Sequence, residues 1–426
     1  MDICVVALGK IGLPLAVQFA RSGHQVIGAD IDQRAVDLIE AGVAPFPGEE
    51  NLDAYLAEVR AAGTLTATTD TVSAVAESEV VVIVVPLLVD RAGVPDFRAM
   101  DAATASVGAG LRPSTLVVYE TTLPVGTTRQ RFAPALMQAT GYKLGDDLFV
   151  AFSPERVYSS RIFSDLSRYP KLVGGLEEAS TAKAVAFYES VLQFDDRDDL
   201  FRPNGVWDLG TAEAAELAKL AETTYRDINI AYANELAKYS DAHGLDVLAV
   251  IGACNSQPYS HIHRPGVAVG GHCIPVYPRF YLMGDPTAAL PAAARMVNES
   301  MPAYAVQRLI DSIGDISGKT VAVLGLAYRG GVKESAFSGA FGVVDALRGA
   351  GATALVHDPL YSEDEIRSHG FDTYSMGDRC DAAILQADHS EYQRLSRSML
   401  GGAAVIVDGR NCLPASTDLT VISIGR

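Results

Sequence analysis

Short apolar runs alternate with longer amphipathic stretches through the first half of the chain. Six of the runs are continuous and rich in β-branched or aromatic residues, which predicts strands. They are ICVVAL (3–8), QVIGAD (25–30), VVVIVVP (80–86), TLVVYE (115–120), LFVAF (148–152) and KLVGG (171–175). Because continuous apolar strands are typical of parallel sheets with helices on both faces, this half is predicted to be a doubly wound α/β domain.

Residues 211–243 contain neither Pro nor Gly, and apolar residues recur along them at helical spacing. At 1.5 Å per residue they predict a helix of roughly 45–50 Å. Such a helix suits a connection between domains or a subunit interface, and a plain core helix fits the pattern as well. After Asp315 strand-like runs return, as KTVAVLGLAY (319–328), ATALVHDP (352–359), DAAILQAD (381–388) and AAVIVDG (403–409).

The expected architecture is therefore α/β, with two Rossmann-like doubly wound parallel-sheet domains joined by a long central helix and a helical middle domain. The segments FRPNG (201–205) and GDISGK (314–319) interrupt the periodicity near the junctions. We predict a nucleotide-binding domain over 1–205, a helical domain over 206–305 and a third domain over 306–426.

Composition narrows the class of function. The 426 residues include 34 Lys and Arg against 52 Asp and Glu, a formal net charge of -18, which argues against broad nucleic-acid binding. No apolar run reaches the ~18 residues of a membrane span, and no basic segment precedes the first strand, so neither membrane association nor export is expected. The five cysteines are scattered without a CxxC pair, which predicts a reducing cytoplasm and no metal site.

The segment VVALGKIGLPLAV (5–17) places two glycines between a predicted strand and a predicted helix. Gly9 permits close approach of a pyrophosphate, and Gly12 permits close packing of the helix. The usual GxGxxG fingerprint has a glycine where this chain has Ala7. Asp30 ends the next strand, where a carboxylate binds ribose hydroxyls and repels a 2′-phosphate. The pattern predicts NAD rather than NADP, against the alternative of a turn without a ligand.

Cys273 lies in GVAVGGHCIPVYPRFY (266–281), shortly after two adjacent glycines and before two prolines. A lone cysteine is more often a small buried apolar residue than a nucleophile. Beside a dinucleotide site, however, a thiolate has a defined use. It adds to an aldehyde, the adduct loses a second hydride, and the resulting thioester is hydrolysed. The combination predicts oxidation of an alcohol to an acid.

Three further polar residues are candidates for the remaining roles. Glu155 follows a predicted strand, at the edge where open α/β sheets bind ligands. Lys219 lies in the long helix among apolar neighbours, and Thr122 lies in the loop ETTLPVGTT. A structural salt bridge fits Glu155 or Lys219 equally well, and a helix cap fits Thr122.

The assembled motifs resemble those of the UDP-glucose/GDP-mannose dehydrogenase family, in the family's order and over essentially the whole chain. They are GKIGLPLA, ETTLPVGTT, SPERV, KLAETTYRDINIAYANEL, GGHCIPV, GKTVAVLGLAYRGGVKE and DGRN. The resemblance implies an N-terminal NAD domain, a helical middle that forms a homodimer or higher homo-oligomer, and a C-terminal domain for the UDP part of a UDP-sugar. It also implies that two NAD are reduced as C6 goes from alcohol to carboxylate.

By motif position, the resemblance makes Cys273 the thiolate that captures the aldehyde and Glu155 the base for thioester hydrolysis. Lys219 becomes the cation that steadies the oxyanion, and Thr122 orders water or substrate beside it. The implied cofactor contacts are Gly9, Ile11, Gly12, Asp30, Arg34, Pro86 and Thr122. The implied substrate contacts are Glu155, Lys219, Thr223, Arg264, Gly270, Tyr328, Arg329 and Arg410.

Four positions depart from the family's pattern. Tyr277 stands where the family has Asp in CIPVDP, and Thr223 replaces an Asn. Ala336 replaces an Arg, and Tyr259 replaces another, for which the nearby Arg264 is a candidate substitute. Either the chain is a divergent member in which the remaining groups suffice, or the second oxidation is impaired and the product or substrate differs. The first explanation is favoured.

The segments ETTYRDINIAYANEL and GGHCIPV are closer to the UDP-N-acetylhexosamine branch than to UDP-glucose enzymes, which commonly have Ser before the cysteine. UDP-N-acetylmannosamine or UDP-N-acetylglucosamine is therefore the expected substrate, with UDP-glucose as the alternative. A non-catalytic nucleotide-sugar sensor is another reading, suggested by the missing Asp and Arg residues. A hydroxyacid dehydrogenase is a third, but it leaves the second sheet unexplained.

Overall fold

The computed structural model describes residues 1–90, 93–414 and 417–426. The chain forms two compact units, 1–221 and 222–426, and one long helix contributes residues to both. The predicted three-part division at 205 and 305 stays a prediction.

Among the described residues of the first unit are ten strands, and eight of them form one sheet. Their bounds are β1 Asp2–Val6, β2 Gln25–Ala29, β3 Leu65–Thr68, β4 Val80–Ile83, β5 Leu88–Val89, β6 Pro95–Asp96, β7 Thr115–Tyr119, β8 Leu148–Phe152, β9 Lys171–Gly175 and β10 Val206–Thr211. The sheet order is β10-β9-β8-β7-β4-β1-β2-β3, while β5 and β6 form a small antiparallel pair. Neighbours in the large sheet are parallel except β8 and β9.

Helices cover both faces of this sheet. They are α1 Gly12–Arg21, α2 Gln33–Glu40, α3 Leu52–Ala62, α4 Thr71–Ala76, α5 Arg98–Gly110, a π-helical turn Thr128–Phe132, α6 Ala133–Thr140, α7 Ile162–Arg168, α8 Glu178–Val191 and α9 Ala212–His243. Along β1, Ile3 and Val5 pack into one apolar cluster, whereas Cys4 and Val6 pack into another. Because successive strand residues face opposite sides, the sheet is buried on both faces.

The second unit repeats this plan, and its described part, 222–414 and 417–426, holds six strands that are all parallel to their neighbours. The strands are β11 Thr320–Leu324, β12 Thr353–His357, β13 Asp372–Thr373, β14 Ala382–Leu385, β15 Val405–Asp408 and β16 Thr420–Ser423, in the order β13-β12-β11-β14-β15-β16. The helices are α10 Val247–Cys254, α11 Tyr277–Gly284, α12 Ala289–Ile313, α13 Gly339–Gly349, α14 Glu363–Ser368 and a 3-10 turn Ser390–Arg394.

The predicted fold class is confirmed, since both sheets and the long helix are present, and α9 begins one residue after the predicted start. The sequence patterns missed β3, β5, β6, β10, β13 and β16. They also predicted a wholly parallel first sheet, whereas β9 runs antiparallel to β8. The β8–β9 connection covers residues 153–170 and holds the seven-residue helix α7. Its length would also permit a parallel crossover, so the direction of β9 could not be predicted from the connection. No helix within the described ranges is long and apolar enough to cross a bilayer.

Candidate active site

The turn between β1 and α1 is shaped by its glycines. A Cβ at Gly12 would lie 1.9 Å from the carbonyl oxygen of Ala7, so no side chain fits there. A Cβ at Gly9 would meet no atom within 4 Å, so the space beside the turn is open. Ala7 adopts a φ of 75°, the left-handed conformation that a glycine normally supplies. Ile11 provides no side-chain cap for α1, and the amino end of a helix attracts anions.

Asp30 follows β2 and is fixed beside this turn. Its Oδ2 accepts a hydrogen bond from the Leu8 N–H at 2.7 Å, and its Oδ1 accepts one from the Asp32 N–H at 2.9 Å. The half-buried carboxylate can still accept hydrogen bonds from ribose hydroxyls, and its charge repels a 2′-phosphate. The open turn and the fixed carboxylate therefore fit NAD.

The other cofactor candidates differ in exposure. Pro86 and Thr122 follow β4 and β7, so they lie at the same carboxyl edge of the sheet as Gly9, which follows β1. Pro86 is exposed and Thr122 is buried. Ile11 is half-buried against the apolar cluster, and Arg34 is exposed near the start of α2. The turn, Pro86 and Thr122 thus share one edge, where a dinucleotide would lie.

Glu155 lies just beyond β8 and belongs to a buried ionic cluster. Lys171, at the start of β9, donates to Glu155 Oε2 and to Glu120 Oε2, both at 2.8 Å. Tyr188 of α8 donates to Glu120 Oε1 at 2.5 Å, and the Arg156 N–H donates to Glu155 Oε1 at 2.7 Å. Burial acts to raise the pKa of Glu155, but the Lys171 ammonium outweighs it and holds that pKa below its ordinary value. Glu155 is therefore a carboxylate at neutral pH.

Lys219 lies on α9 and is buried. The same helix carries a buried carboxylate, that of Glu216. Glu216 accepts hydrogen bonds from the Gly126 N–H at 2.5 Å, the Thr128 N–H at 3.0 Å and the Thr128 Oγ1 at 2.6 Å. Burial raises the pKa of Glu216 to about 7. These bonds join α9, which contains Lys219, to the loop after β7, which contains Thr122. The two candidate residues therefore lie on elements that are hydrogen-bonded to each other.

Cys273 is exposed and lies just before α11 in the second unit. Its carbonyl accepts the Tyr277 N–H at 2.9 Å, which closes the first turn of that helix. A Cβ at Gly270 would lie 2.6 Å from Tyr328 Cβ, and one at Gly271 would lie 3.2 Å from the Tyr328 ring. The glycines thus let the loop pack closely on Tyr328 while the thiol stays at the surface.

Three of the substrate candidates, Tyr328, Arg329 and Arg410, are joined by hydrogen bonds. The Arg410 guanidinium donates to the carbonyl oxygens of Gln386 at 2.5 Å, Tyr328 at 2.9 Å and Ala268 at 3.3 Å. The Arg329 Nε donates to the Tyr328 hydroxyl at 3.0 Å. Arg410 therefore joins three loops, and its contact with a phosphate stays a prediction.

The remaining substrate candidate and the departures from the family's pattern differ in exposure and contacts. Arg264 and Tyr259 are exposed, whereas Thr223 is buried in α9. Ala336 uses its backbone carbonyl, which accepts the Gly271 N–H at 2.8 Å. Across the described ranges, no three His, Cys, Asp or Glu side chains are grouped so as to hold a metal ion.

Sequence reasoning missed a buried polar network that anchors the segment leading to the thiol. Asn234 of α9 accepts the Gly266 N–H at 2.9 Å and donates to Asn298 Oδ1 at 2.8 Å. Asn298 donates to Asp227 Oδ1 at 2.8 Å, and Arg295 pairs with Asp227 through two bonds of 2.7 and 2.5 Å. The network ties this segment to α9 and α12.

The second unit also places a carboxylate beside its first strand-to-helix turn. Asp358, after β12, accepts the N–H groups of Leu326 and Ala327, both at 2.8 Å. The buried His389 Nε2 lies 3.1 Å from the same oxygen. This carboxylate therefore makes its hydrogen bonds internally, whereas Asp30 keeps space for a ligand. The comparison favours the first unit as the NAD site.

An open dinucleotide turn with its ribose carboxylate is typical of NAD-dependent dehydrogenases. Three stretches of the chain match one family: residues 1–192 its NAD binding domain, 213–300 its central domain and 322–415 its UDP binding domain. The chain belongs to the UDP-glucose/GDP-mannose dehydrogenase family.

Individual relatives agree with the branch that the motifs indicate. The chain is 34% identical over 423 residues to UDP-N-acetyl-D-mannosamine dehydrogenase of Pyrococcus horikoshii, covering 97% of this chain and 96% of that one. It is 31% identical over 415 residues to NDP-N-acetyl-D-galactosaminuronic acid dehydrogenase of Ralstonia solanacearum, covering 95% and 94%. A solved structure of UDP-D-ManNAc dehydrogenase from Pyrococcus horikoshii matches with a TM-score of 0.87 at 32% identity, covering 100% and 99%. The resemblance inferred from the motifs is confirmed.

Proposed function

We propose that the protein oxidises the C6 hydroxyl of UDP-N-acetylmannosamine or UDP-N-acetylglucosamine to the carboxylate, with two NAD reduced per sugar. The observation that carries the proposal is the thiol of Cys273, exposed on a glycine loop. Oxidation of an alcohol to an aldehyde needs no thiol, whereas capture of the aldehyde for a second oxidation does. The N-acetylated sugar is supported by relatives that match nearly the whole chain.

Each candidate residue then has a role that its chemistry suits. NAD, bound at the Gly9 turn, supplies the hydride acceptor. Lys219 stabilises negative charge on the C6 oxygen, a contribution worth roughly 10²–10³ in rate. The Cys273 sulfur adds to the aldehyde carbon and holds it as a thioester after the second oxidation. Glu155 takes a proton from water as the water oxygen attacks that carbon, and the C–S bond breaks with its electron pair leaving on sulfur.

A panel of UDP-, GDP- and dTDP-sugars tests the substrate. We expect NADH formation with the two UDP-N-acetylhexosamines, and a uronic acid as the product by mass spectrometry. Faster turnover of UDP-glucose would select the alternative substrate. If no sugar yields NADH but UDP-sugar with NAD still protects Cys273 from alkylation, the protein is a nucleotide-sugar sensor.

We also propose a homodimer or higher homo-oligomer that works in a reducing cytoplasm. Tyr225, Tyr232 and Tyr239 recur every seven residues on α9 and are 58%, 54% and 59% exposed. A stripe of large, partly apolar side chains on one helix face suits a surface that a partner covers. The five unpaired cysteines suit a reducing compartment. Light scattering tests the oligomer, and a monomer at micromolar concentration would contradict it.

A further inference from the structure

Two carboxylates share one ammonium in the interior of the first unit. Lys171 donates to Glu120 and Glu155 at the same distance, 2.8 Å. Three segments supply these groups: Glu120 directly follows β7, Glu155 lies beyond β8, and Lys171 begins β9. Antiparallel pairing of β8 with β9 sets the ammonium between them. We call these three residues the shared-lysine cluster.

The charges of the shared-lysine cluster do not balance when all three groups are ionised. One ammonium and two carboxylates leave a net negative charge in a buried place, and a buried uncompensated charge is costly. Two carboxylates on one site behave instead as a pair that holds a proton in common. Tyr188 donates to Glu120 Oε1, and the Lys171 Nζ lies 4.8 Å from the centre of the Tyr188 ring.

Side-chain exposure within the shared-lysine cluster increases from Glu120 through Lys171 to Glu155. The side chain of Glu120 is 0% exposed, that of Lys171 is 4% exposed and that of Glu155 is 11% exposed. Glu155 is thus the member that meets the surface, and it is the one that family position assigns to thioester hydrolysis. A proton that enters or leaves the cluster has its shortest route through Glu155.

We propose that Lys171 and Glu120 are positioning residues that set the proton affinity of Glu155 in the hydrolysis step. This inference rests on the proposed function. When water attacks the thioester, its proton goes to the Glu155 carboxylate, its oxygen bonds to C6, and the sulfur leaves with the electron pair of the C–S bond. Lys171 keeps Glu155 ionised before the attack, and Glu120, which holds the proton of the pair, acts in the same direction through a hydrogen bond to Glu155.

The electrostatics of the surrounding groups support this assignment. Burial raises the pKa of Glu120 to about 7. The pKa of Glu155 lies below its ordinary value because Lys171 outweighs the effect of burial. The charged and titratable groups that act on Glu155 include Lys171, Glu120 and Tyr188, together with the N–H of Arg156.

Two substitutions should move the acid limb of the kcat–pH profile to higher pH by different amounts. Glu120→Leu removes one hydrogen bond from Glu155 and leaves the Lys171 ion pair in place, so the limb moves to higher pH by less than it does in Lys171→Met. Lys171→Met leaves two carboxylates without their cation, so the limb moves to higher pH by about 1–3 units. Lys171→Arg should return the limb toward the wild-type position. Lys143→Met, which removes an exposed lysine, is the matched control and leaves the limb unchanged.

The two shifts of the limb separate positioning from a merely structural role, which would lower kcat at every pH and leave the limb in place. Carbon-13 NMR of glutamate-labelled protein reads the same pKa without substrate, with the Glu155 signal assigned by its loss in Glu155→Gln. If no UDP-sugar yields NADH, the proposed function fails and the NMR titration still decides the cluster. Equal titration of Glu155 in wild type, Glu120→Leu and Lys171→Met overturns the inference. If Lys171→Met does not fold, Glu120→Leu decides it alone.

Discussion

Replacing Gly12 by alanine tests whether the β1–α1 turn has the shape of a cofactor site. The added Cβ would lie 1.9 Å from the Ala7 carbonyl oxygen, whereas ordinary contact begins at 3.4 Å. One of the two atoms must therefore move by about 1.5 Å. The obstacle is backbone, so no side-chain rotation relieves it. Overpacking of this kind costs about 1–3 kcal/mol.

The cost should appear in either of two measurements. If the turn keeps its shape, Gly12→Ala lowers the free energy of unfolding by that amount. If the substitution instead changes the shape of the turn, NAD binding must restore the original shape. The affinity for NAD then falls by roughly 5- to 150-fold, since 1.4 kcal/mol is tenfold. Urea denaturation and calorimetric titration with NAD measure the two quantities on one sample.

Gly9→Ala is the matched control for this substitution. A Cβ at Gly9 would meet no atom of the chain within 4 Å, so the unfolding free energy should change by less than about 0.5 kcal/mol. Its methyl group would occupy the open space, so only NAD affinity should fall. The reasoning is refuted if Gly12→Ala unfolds like wild type and also binds NAD within twofold of it.

Three further substitutions test other parts of the framework. Ala7→Gly should raise the free energy of unfolding by about 0.5–1 kcal/mol in urea titrations, because Ala7 holds a φ of 75° and glycine adopts it without strain; a loss of stability would contradict this. Burial raises the pKa of Glu216 from 4.5 to about 7, so between these pH values the native state keeps a proton that the unfolded state has released. The stability that this group contributes is therefore lost as the pH rises from 4.5 to about 7. Glu216→Gln should remove this part of the pH dependence of the unfolding free energy between pH 5 and 8, and an unchanged pH dependence would contradict the prediction. Asn234→Ala leaves the buried Gly266 N–H without its acceptor, so thermal and urea unfolding should show a loss of about 1–3 kcal/mol, and a change under 0.5 kcal/mol would speak against the network.

Much of the fold followed from local pattern. The predicted strands were continuous apolar runs, and α9 was marked by the absence of Pro and Gly, so both could be placed without tertiary information. Asp30 was likewise predictable, because a carboxylate at the end of the second strand lies beside the first turn in this topology. Ala7 departed from the fingerprint, yet its backbone adopts the conformation of the missing glycine.

The partners of Glu155 could not be predicted, because they depend on strand pairing. Lys171 and Glu120 are 51 residues apart and meet only because β9 runs antiparallel to β8 beside β7. The available signal was a charged residue at the end of each of two otherwise apolar strand runs, TLVVYE and KLVGG. The internal role of Arg410 was hidden for the same reason, since its carbonyl partners come from three separate loops.

The central claim is that a thiol at position 273 carries the sugar through two oxidations. The most direct test is the number of NADH molecules formed per molecule of limiting UDP-N-acetylhexosamine, in wild type and in Cys273→Ala side by side. We predict two for wild type with the uronic acid as product, and fewer than two for the variant. A yield of one with accumulating aldehyde in wild type, or an undiminished yield of two in the variant, would contradict it.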